Sequence, residues 1–341
     1  EAFGLENIQM RTRPDPVIGE RDVLLEMRAA SLNSRDYLTV KGVYNPKQKL
    51  PLVLCSDGVG KVVDVGSSVS RFSPGDRAIP CFAQGWIEGP LTSGFRHLTL
   101  GGPLDGTLSE YMAISEESCV HAPEYLNDAE AATLPCAGLT AWSAVVRQAA
   151  VKEGDSVLIE GTGGVAVFAM QFALMLGARP IVISKSDAKL ERAREMGADE
   201  TINYIREPQW HRAVKDLTEG KGVDLVIEVG GDATLQQAVR AVRASGQLSM
   251  VGVLGGAVAS LNLPLVVMRN VRLQGVTVGS RMDFESMIDD LEESRIRPVI
   301  DRVFHLAETA EAFRYLANAG HFGKVCIRHS EASGEQCGST G

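Results

Sequence analysis

The chain has 341 residues, of which 45% are hydrophobic and 23% charged, with a formal net charge of −9. That length allows two domains with their own cores, and the acidic balance argues against nucleic acid or an anionic membrane as a partner. No apolar run approaches the roughly 20 residues of a membrane span, and the start lacks the basic stretch and apolar core of a signal peptide.

Six cysteines (Cys55, Cys81, Cys119, Cys136, Cys326, Cys337) are scattered without a CxxC pair. The spacing suits free thiols in a reducing cytoplasm, and it offers neither a disulfide framework nor a cysteine cluster for structural zinc.

From residue 23 to 111 the pattern is one of short strands, with 23–27, 59–65 and 77–80 as examples, punctuated by Gly58, Gly60, Gly66, Pro74 and Gly75. This predicts a mostly β unit. Residues 85–106 are glycine-rich and irregular and read as a long loop near a site. Residues 129–146, AEAATLPCAGLTAWSAVV, turn alanine-rich and helical, with a break at Pro135.

The segment 156–189, SVLIEGTGGVAVFAMQFALMLGARPIVISKSDAK, carries the strongest signal. Val157, Leu158 and Ile159 form an apolar run too short for a helix, as in a buried parallel strand. Gly161, Gly163 and Gly164 follow, and then Val165, Phe168, Phe172 and Leu176 recur at helical spacing. A second apolar run, 181–183, completes a strand–glycine turn–helix–strand unit, the context of a dinucleotide fingerprint. Gly161 permits the tight turn, Gly163 lets a pyrophosphate approach the backbone, and Ala166 takes the third fingerprint position. The helix start adds free N–H groups and a favourable dipole for an anion.

An NAD site carries an acid at the end of the second strand, for the ribose 2′-hydroxyl. Here Ser184 stands there, followed by Lys185, Ser186, Lys189 and Arg192. Hydroxyls and cations suit a 2′-phosphate, so NADP is expected over NAD, the alternative being a solvated, basic first turn of a helix.

Strands and helices alternate through the rest of the centre. A helix lies around Trp210, Val214 and Leu217, a strand at 225–229, a helix with Leu235, Ala238, Val239 and Val242, a strand at 248–253, and a sixth strand at 271–278. This alternation makes a doubly wound parallel sheet. Residues 281–328 read as helices and a final strand returning to the N-terminal unit, and 329–341 as a small, polar, disordered tail.

Several landmarks together resemble the medium-chain dehydrogenase/reductase superfamily: GDRAIP at 75–80, GTLSEY at 106–111, LPCAGLTAW at 134–142 and GKVCI at 323–327. The resemblance covers residues 1–328 and implies an α/β plus β fold. It assigns a GroES-like catalytic domain to 1–136 and 280–328, a Rossmann cofactor domain to 137–279, and an active-site cleft between them.

The superfamily has zinc and zinc-free branches, and a catalytic zinc needs three protein donors. At the three ligand positions this sequence has Asn33, Ser56 and Cys136. Neither an amide nor a hydroxyl replaces thiolate or imidazole well on zinc, so no catalytic metal is expected. Asp57 is a conceivable lone ligand, too little for a site.

The segment SLNSRDY with GVY resembles the zinc-free, quinone oxidoreductase-like branch. That resemblance puts Asn33, Asp36 and Tyr44 beside the nicotinamide end of the cleft, Thr140 against the nicotinamide, and Lys324 near the cofactor. It puts Tyr204, with Lys189 and Ser186, around the adenosine phosphate, and Gly252 and Val253 where the carboxamide meets backbone groups. Asp36 could equally orient a turn, Tyr37 and Tyr44 could be packing residues, and Arg35 is either an electrophile or a salt-bridged surface residue.

Without a metal the reaction needs an acceptor that stabilises its own anion, such as a quinone or an α,β-unsaturated carbonyl. Candidate donors to that anion are Asn33, Tyr37, Tyr44 and Ser56. The expectation is therefore an NADPH-dependent, zinc-independent reductase of a small molecule. Its alternatives are a metal-free alcohol dehydrogenase or carbonyl reductase, and a non-catalytic NADPH-binding protein. The sixth strand, at a sheet edge, further suggests a homodimer.

Overall fold

The computed structural model describes residues 2–329. Of the expected C-terminal tail, all but His329 lies outside the described residues.

Two sheets organise the chain. The first is built from β1 (Asp22–Leu32), β2 (Asp57–Val65), β3 (Arg77–Pro80), β4 (Tyr111–Ser115) and β5 (Cys119–His121). The second takes β6 (Ser156–Glu160), β7 (Arg179–Ser184), β8 (Glu200–Asn203), β9 (Val223–Glu228), β10 (Val242–Met250) and β11 (Arg272–Gly275). The chain then returns to the first sheet with β12 (Ile300–His305) and β13 (Lys324–Arg328).

The first sheet runs β12-β13-β1-β2-β3-β5, with β4 also on β1. Its central strand alternates buried and partly exposed positions from Asp22 to Arg28, as expected of a strand covered on one face. The second runs β11-β10-β9-β6-β7-β8 with every pairing parallel. That is the doubly wound Rossmann order, with the crossover beside β6. All five residues of β6 are buried because helices cover both faces. The fold is thus the expected α/β plus β combination of a GroES-like and a Rossmann unit.

The helix after β6, Gly164–Met175, buries Phe168, Phe172 and Ala173 and ends before Gly177 at φ +71. Residues 129–146 form a less regular run than expected. A short helix, Asp128–Ala131, gives way to wide π-type turns at Leu134–Gly138 and Ser143–Gln148, separated by the helix Leu139–Trp142. Pro135 has no N–H to donate, which favours a register change there. The sixth parallel strand is shorter than 271–278, and all four of its residues are exposed. Among the described residues no helix is long and apolar enough to cross a membrane, and Cys55, Cys81, Cys119, Cys136 and Cys326 are free.

The two sheets meet at the fingerprint turn. Gly323 N–H donates to Thr162 O at 2.9 Å, and Gly163 and Gly323 form an isolated parallel bridge. This contact carries Lys324, the first residue of β13, to the cofactor turn.

Candidate active site

The loop from β1 into the helix Ser34–Val40 begins the site. Asn33 is extended (φ −126°) and Asp36 Oδ2 accepts its backbone N–H at 2.8 Å, closing a capping box. Asp36 therefore does orient this turn, one of the two roles open to it. Its Oδ1 also accepts from the Ser56 backbone N–H at 3.1 Å and the Ser56 hydroxyl at 3.0 Å. Burial raises the Asp36 pKa, opposed by Arg35 and by these hydrogen bonds.

A second layer joins Asn33 to Lys324. The Asn33 amide donates to Asp57 Oδ2 at 2.8 Å and to Ser56 Oγ at 3.3 Å. The Lys324 ammonium donates to Asn33 Oδ1 at 2.6 Å and Leu32 O at 2.9 Å, and lies 3.6 Å from Asp57 Oδ2. Ser56 and Asp57 are fully buried and Lys324 is 3% exposed. Burial pushes Asp57 up to about 7 against the pull of Lys324, and its Oδ1 has no partner. Asn33, Asp36, Ser56 and Lys324 thus form one network that Asp57 completes. The sequence offers Asp57 only as a lone metal ligand, because the ammonium of Lys324 comes from far along the chain.

These donors do not fit a zinc ion. Asn33 is committed to Asp57 and the Lys324 ammonium, and Ser56 to Asn33 and Asp36, and the resident ammonium disfavours a second cation. Burial, then Asp57, raises the Cys136 thiol pKa. Among the described residues no group of three or more His, Cys, Asp or Glu could hold a metal.

Arg35 is buried rather than a surface residue. Its guanidinium donates to Leu100 O at 2.8 Å and Gly102 O at 2.9 Å, pairs with Asp36 at 3.3 Å, and lies 4.9 Å from the ring centres of both Tyr44 and Phe82. Tyr44 is 53% exposed. Tyr37 packs against the apolar cluster of Leu32, Phe313 and Val325. Next to Phe82, the loop 85–106 wraps a cavity of about 190 Å³ lined by Trp86, Ile87, Phe95 and Leu98. Arg281 and Met282 anchor this loop by N–H bonds to Trp86 O and Ile87 O.

The fingerprint has room for a dinucleotide. Gly161 has φ +82°, and a Cβ added at Gly161 or Gly163 would meet nothing within 4 Å, so the turn presents bare backbone to open space. The helix beginning at Gly164 has no side-chain cap. Its first-turn N–H groups, Val165 included, can therefore receive phosphate oxygens. At Gly164 the constraint is internal, since a Cβ would lie 2.5 Å from Lys324 Cδ. Thr140 is buried and its hydroxyl donates to Thr277 O at 2.7 Å.

Ser184, Ser186, Lys189 and Tyr204 come together at the end of β7. Ser184 Oγ accepts the Ser186 N–H at 3.3 Å, Ser186 caps the following helix through the Lys189 N–H, and Tyr204 N–H donates to Ser184 O at 3.2 Å. Lys189 Nζ donates to Ala319 O at 2.7 Å, and burial lowers its pKa. His321 was not singled out from the sequence, yet it joins this corner: burial, then Lys189, lower it to about 4, and its Nδ1 has no partner. Gly252 and Val253 follow β10, where a Cβ on Gly252 would lie 2.7 Å from Val229 O.

Two family models match the chain. The alcohol dehydrogenase GroES-like domain covers residues 19–124 and the zinc-binding dehydrogenase model residues 164–293. A zinc-type alcohol dehydrogenase-like protein of Schizosaccharomyces pombe is 40% identical, covering 90% of each chain. A quinone oxidoreductase of Pseudomonas aeruginosa is 32% identical over 92% of this chain and 93% of its own. Among solved structures, an NAD-dependent alcohol dehydrogenase superposes with a TM-score of 0.89 at 34% identity, covering 96% of this chain and 98% of that one.

Proposed function

Because the chain belongs to the medium-chain dehydrogenase/reductase superfamily and is an oxidoreductase of that family, we propose that it reduces a quinone or an α,β-unsaturated carbonyl with NADPH and without zinc. The observation that carries this reading is the closed network of Asn33, Ser56, Asp57 and Lys324, in which an ammonium takes the company that a metal would need.

The bound nicotinamide supplies the hydride. The bare turn at Gly161 and Gly163 and the helix start at Gly164–Val165 hold the pyrophosphate. Ser184, Ser186, Lys189 and Tyr204 hold the 2′-phosphate, and Thr140, Gly252 and Val253 bound the nicotinamide. Asp36 fixes the Asn33 turn, and Lys324 gives the cleft a fixed positive charge beside the developing enolate or quinolate. Ser56 and Asn33 keep this charge in place, since their own donors are spent within the network. Tyr44, exposed and stacked on Arg35, is the donor left facing the acceptor oxygen, while Tyr37 supports the helix beneath it. The cavity at Trp86 and Phe95 offers an apolar wall suited to a quinone or enone body.

A second reading, a metal-free alcohol dehydrogenase, is favoured by the Arg35–Tyr44 stack, which could polarise a simple carbonyl. NADPH oxidation with quinones and enones against simple aldehydes separates the two, together with metal analysis. One zinc per chain, or a preference for aldehydes, overturns the proposal. NADPH bound tightly without turnover on any acceptor points to a non-catalytic protein.

The exposed edge of β11, beside the exposed Leu263, Val267 and Met268, supports a homodimer made by pairing β11 across a two-fold axis. The unpaired cysteines support a reducing cytoplasm as its setting.

A further inference from the structure

Two glutamates are buried together at the carboxyl ends of β6 and β9. Glu160, 3% exposed, directly precedes Gly161, and Glu228 is fully buried. Glu160 Oε2 accepts the N–H groups of Val229 at 3.2 Å and Gly230 at 3.3 Å. Glu228 Oε1 accepts those of Gly230 at 3.1 Å and Gly231 at 2.9 Å, and also the Thr234 hydroxyl. The remaining oxygens, Glu160 Oε1 and Glu228 Oε2, are buried without a partner.

Besides burial, the largest influences on Glu160 are Glu228, the Val229 N–H and the Thr234 hydroxyl. Burial and then Glu228 push Glu160 up to about 8. Two carboxylates in such a setting cannot both be ionised, and a single proton between the orphan oxygens satisfies both.

The turn that these carboxyls hold also carries part of the cofactor site. Val251 N–H donates to Glu228 O at 2.9 Å, Leu254 N–H to Val229 O at 3.1 Å, and Gly255 N–H to Gly230 O at 2.7 Å. A Cβ on Gly231 would lie 2.4 Å from Gly256 O. The Val229–Gly231 turn and the loop with Gly252 and Val253 therefore move as one unit.

We propose that Glu160 and Glu228 share one proton and act as a positioning pair, drawing the Val229–Gly231 turn, and with it Gly252 and Val253, against the end of β6 for the nicotinamide. The proposal rests on the cofactor reading of the fingerprint. Loss of the shared proton sets two like charges against each other and adds negative charge beneath a site that takes an anion. Binding of the dinucleotide therefore favours the protonated pair and takes up a proton in the alkaline range.

The test is an NADPH titration, read by nicotinamide fluorescence, from about pH 7 to about pH 9.5. In the unmodified chain Kd should rise by about threefold or more across this range. In Glu160→Gln, whose amide mimics the protonated carboxyl and which keeps every other titrating group, it should stay flat. Calorimetric titration of the unmodified chain at about pH 8.5, in two buffers of unlike ionisation enthalpy, should show proton uptake on binding whether or not the variant folds. A flat Kd without proton uptake, or the same slope in Glu160→Gln, overturns the pair and leaves the cofactor reading standing. No binding of NADPH or NADH at any pH overturns the cofactor reading instead. The pair is then judged by thermal unfolding alone: Glu160→Gln should gain on the unmodified chain as pH rises, and parallel profiles overturn it.

Discussion

Replacing Asp57 with Asn tests the energetics of the Lys324 network directly. Asp57 is fully buried, accepts one hydrogen bond from Asn33, lies 3.6 Å from the Lys324 ammonium, and has an oxygen without a partner. Burial outweighs the lysine and lifts its pKa from 3.8 to about 7. A carboxyl raised in this way binds more protons in the folded than in the unfolded chain between those two values. Stability must therefore fall as pH climbs through that window and level off above it. Roughly two of the three units lie above about pH 5, and at about 1.4 kcal/mol per unit they amount to ~3 kcal/mol. Asn at position 57 keeps an acceptor for Asn33 and cannot ionise. Urea unfolding of both proteins at several pH values, compared at constant m-value, should show Asp57→Asn gaining ~3 kcal/mol on the unmodified chain between about pH 5 and about pH 8. Parallel profiles, or a gain by the unmodified chain, would refute the claim that desolvation outweighs the ion pair.

Three further outcomes follow from the site. Gly164→Ala puts a methyl where Lys324 Cδ now lies; it should cost about 1–3 kcal/mol in denaturant unfolding and weaken NADPH binding, whereas unchanged stability would mean the lysine stem has another path. Ser184→Asp places a carboxylate in the corner proposed for the 2′-phosphate, so NADPH should weaken about tenfold or more relative to NADH; an unchanged ratio measured by fluorescence titration contradicts the assignment of that corner. Leu273→Lys, on the exposed edge of β11, should give a monomer by light scattering while cofactor binding persists, and a surviving dimer places the interface elsewhere.

Much of this architecture was legible because its signals are local. The apolar run at Val157–Ile159, the glycines after it and the helical recurrence of Phe168 and Phe172 all lie within one turn–helix unit, and the structure forms that unit. The proposal of a zinc-free site also starts from residue types, at Asn33 and Ser56. What stayed hidden depends on residues far apart in the chain. Asn33 meets Lys324 across 291 positions, so no pattern near Asp57 could announce that its carboxyl lies beside an ammonium. Glu160 did leave a trace, an acid closing an otherwise apolar strand, but its meaning needed Glu228 on the neighbouring strand. The edge strand was overestimated because the apolar residues after Gly275 reach inward to Val276 and Val278 instead of continuing the ladder.

The return of β13 to β1 also sets an order in time. Leu32, at the end of β1, waits for Lys324, 292 residues later, and at about 5–20 residues per second that separation represents roughly 15–60 s of synthesis. All six parallel strands are complete before β13 exists. During that interval the side of β1 that β13 will occupy at Ala29–Leu32 is an open edge. The nascent protein is thus a finished nucleotide-binding core hanging from an unfinished sheet, and its hazard is pairing of that edge with a neighbouring chain.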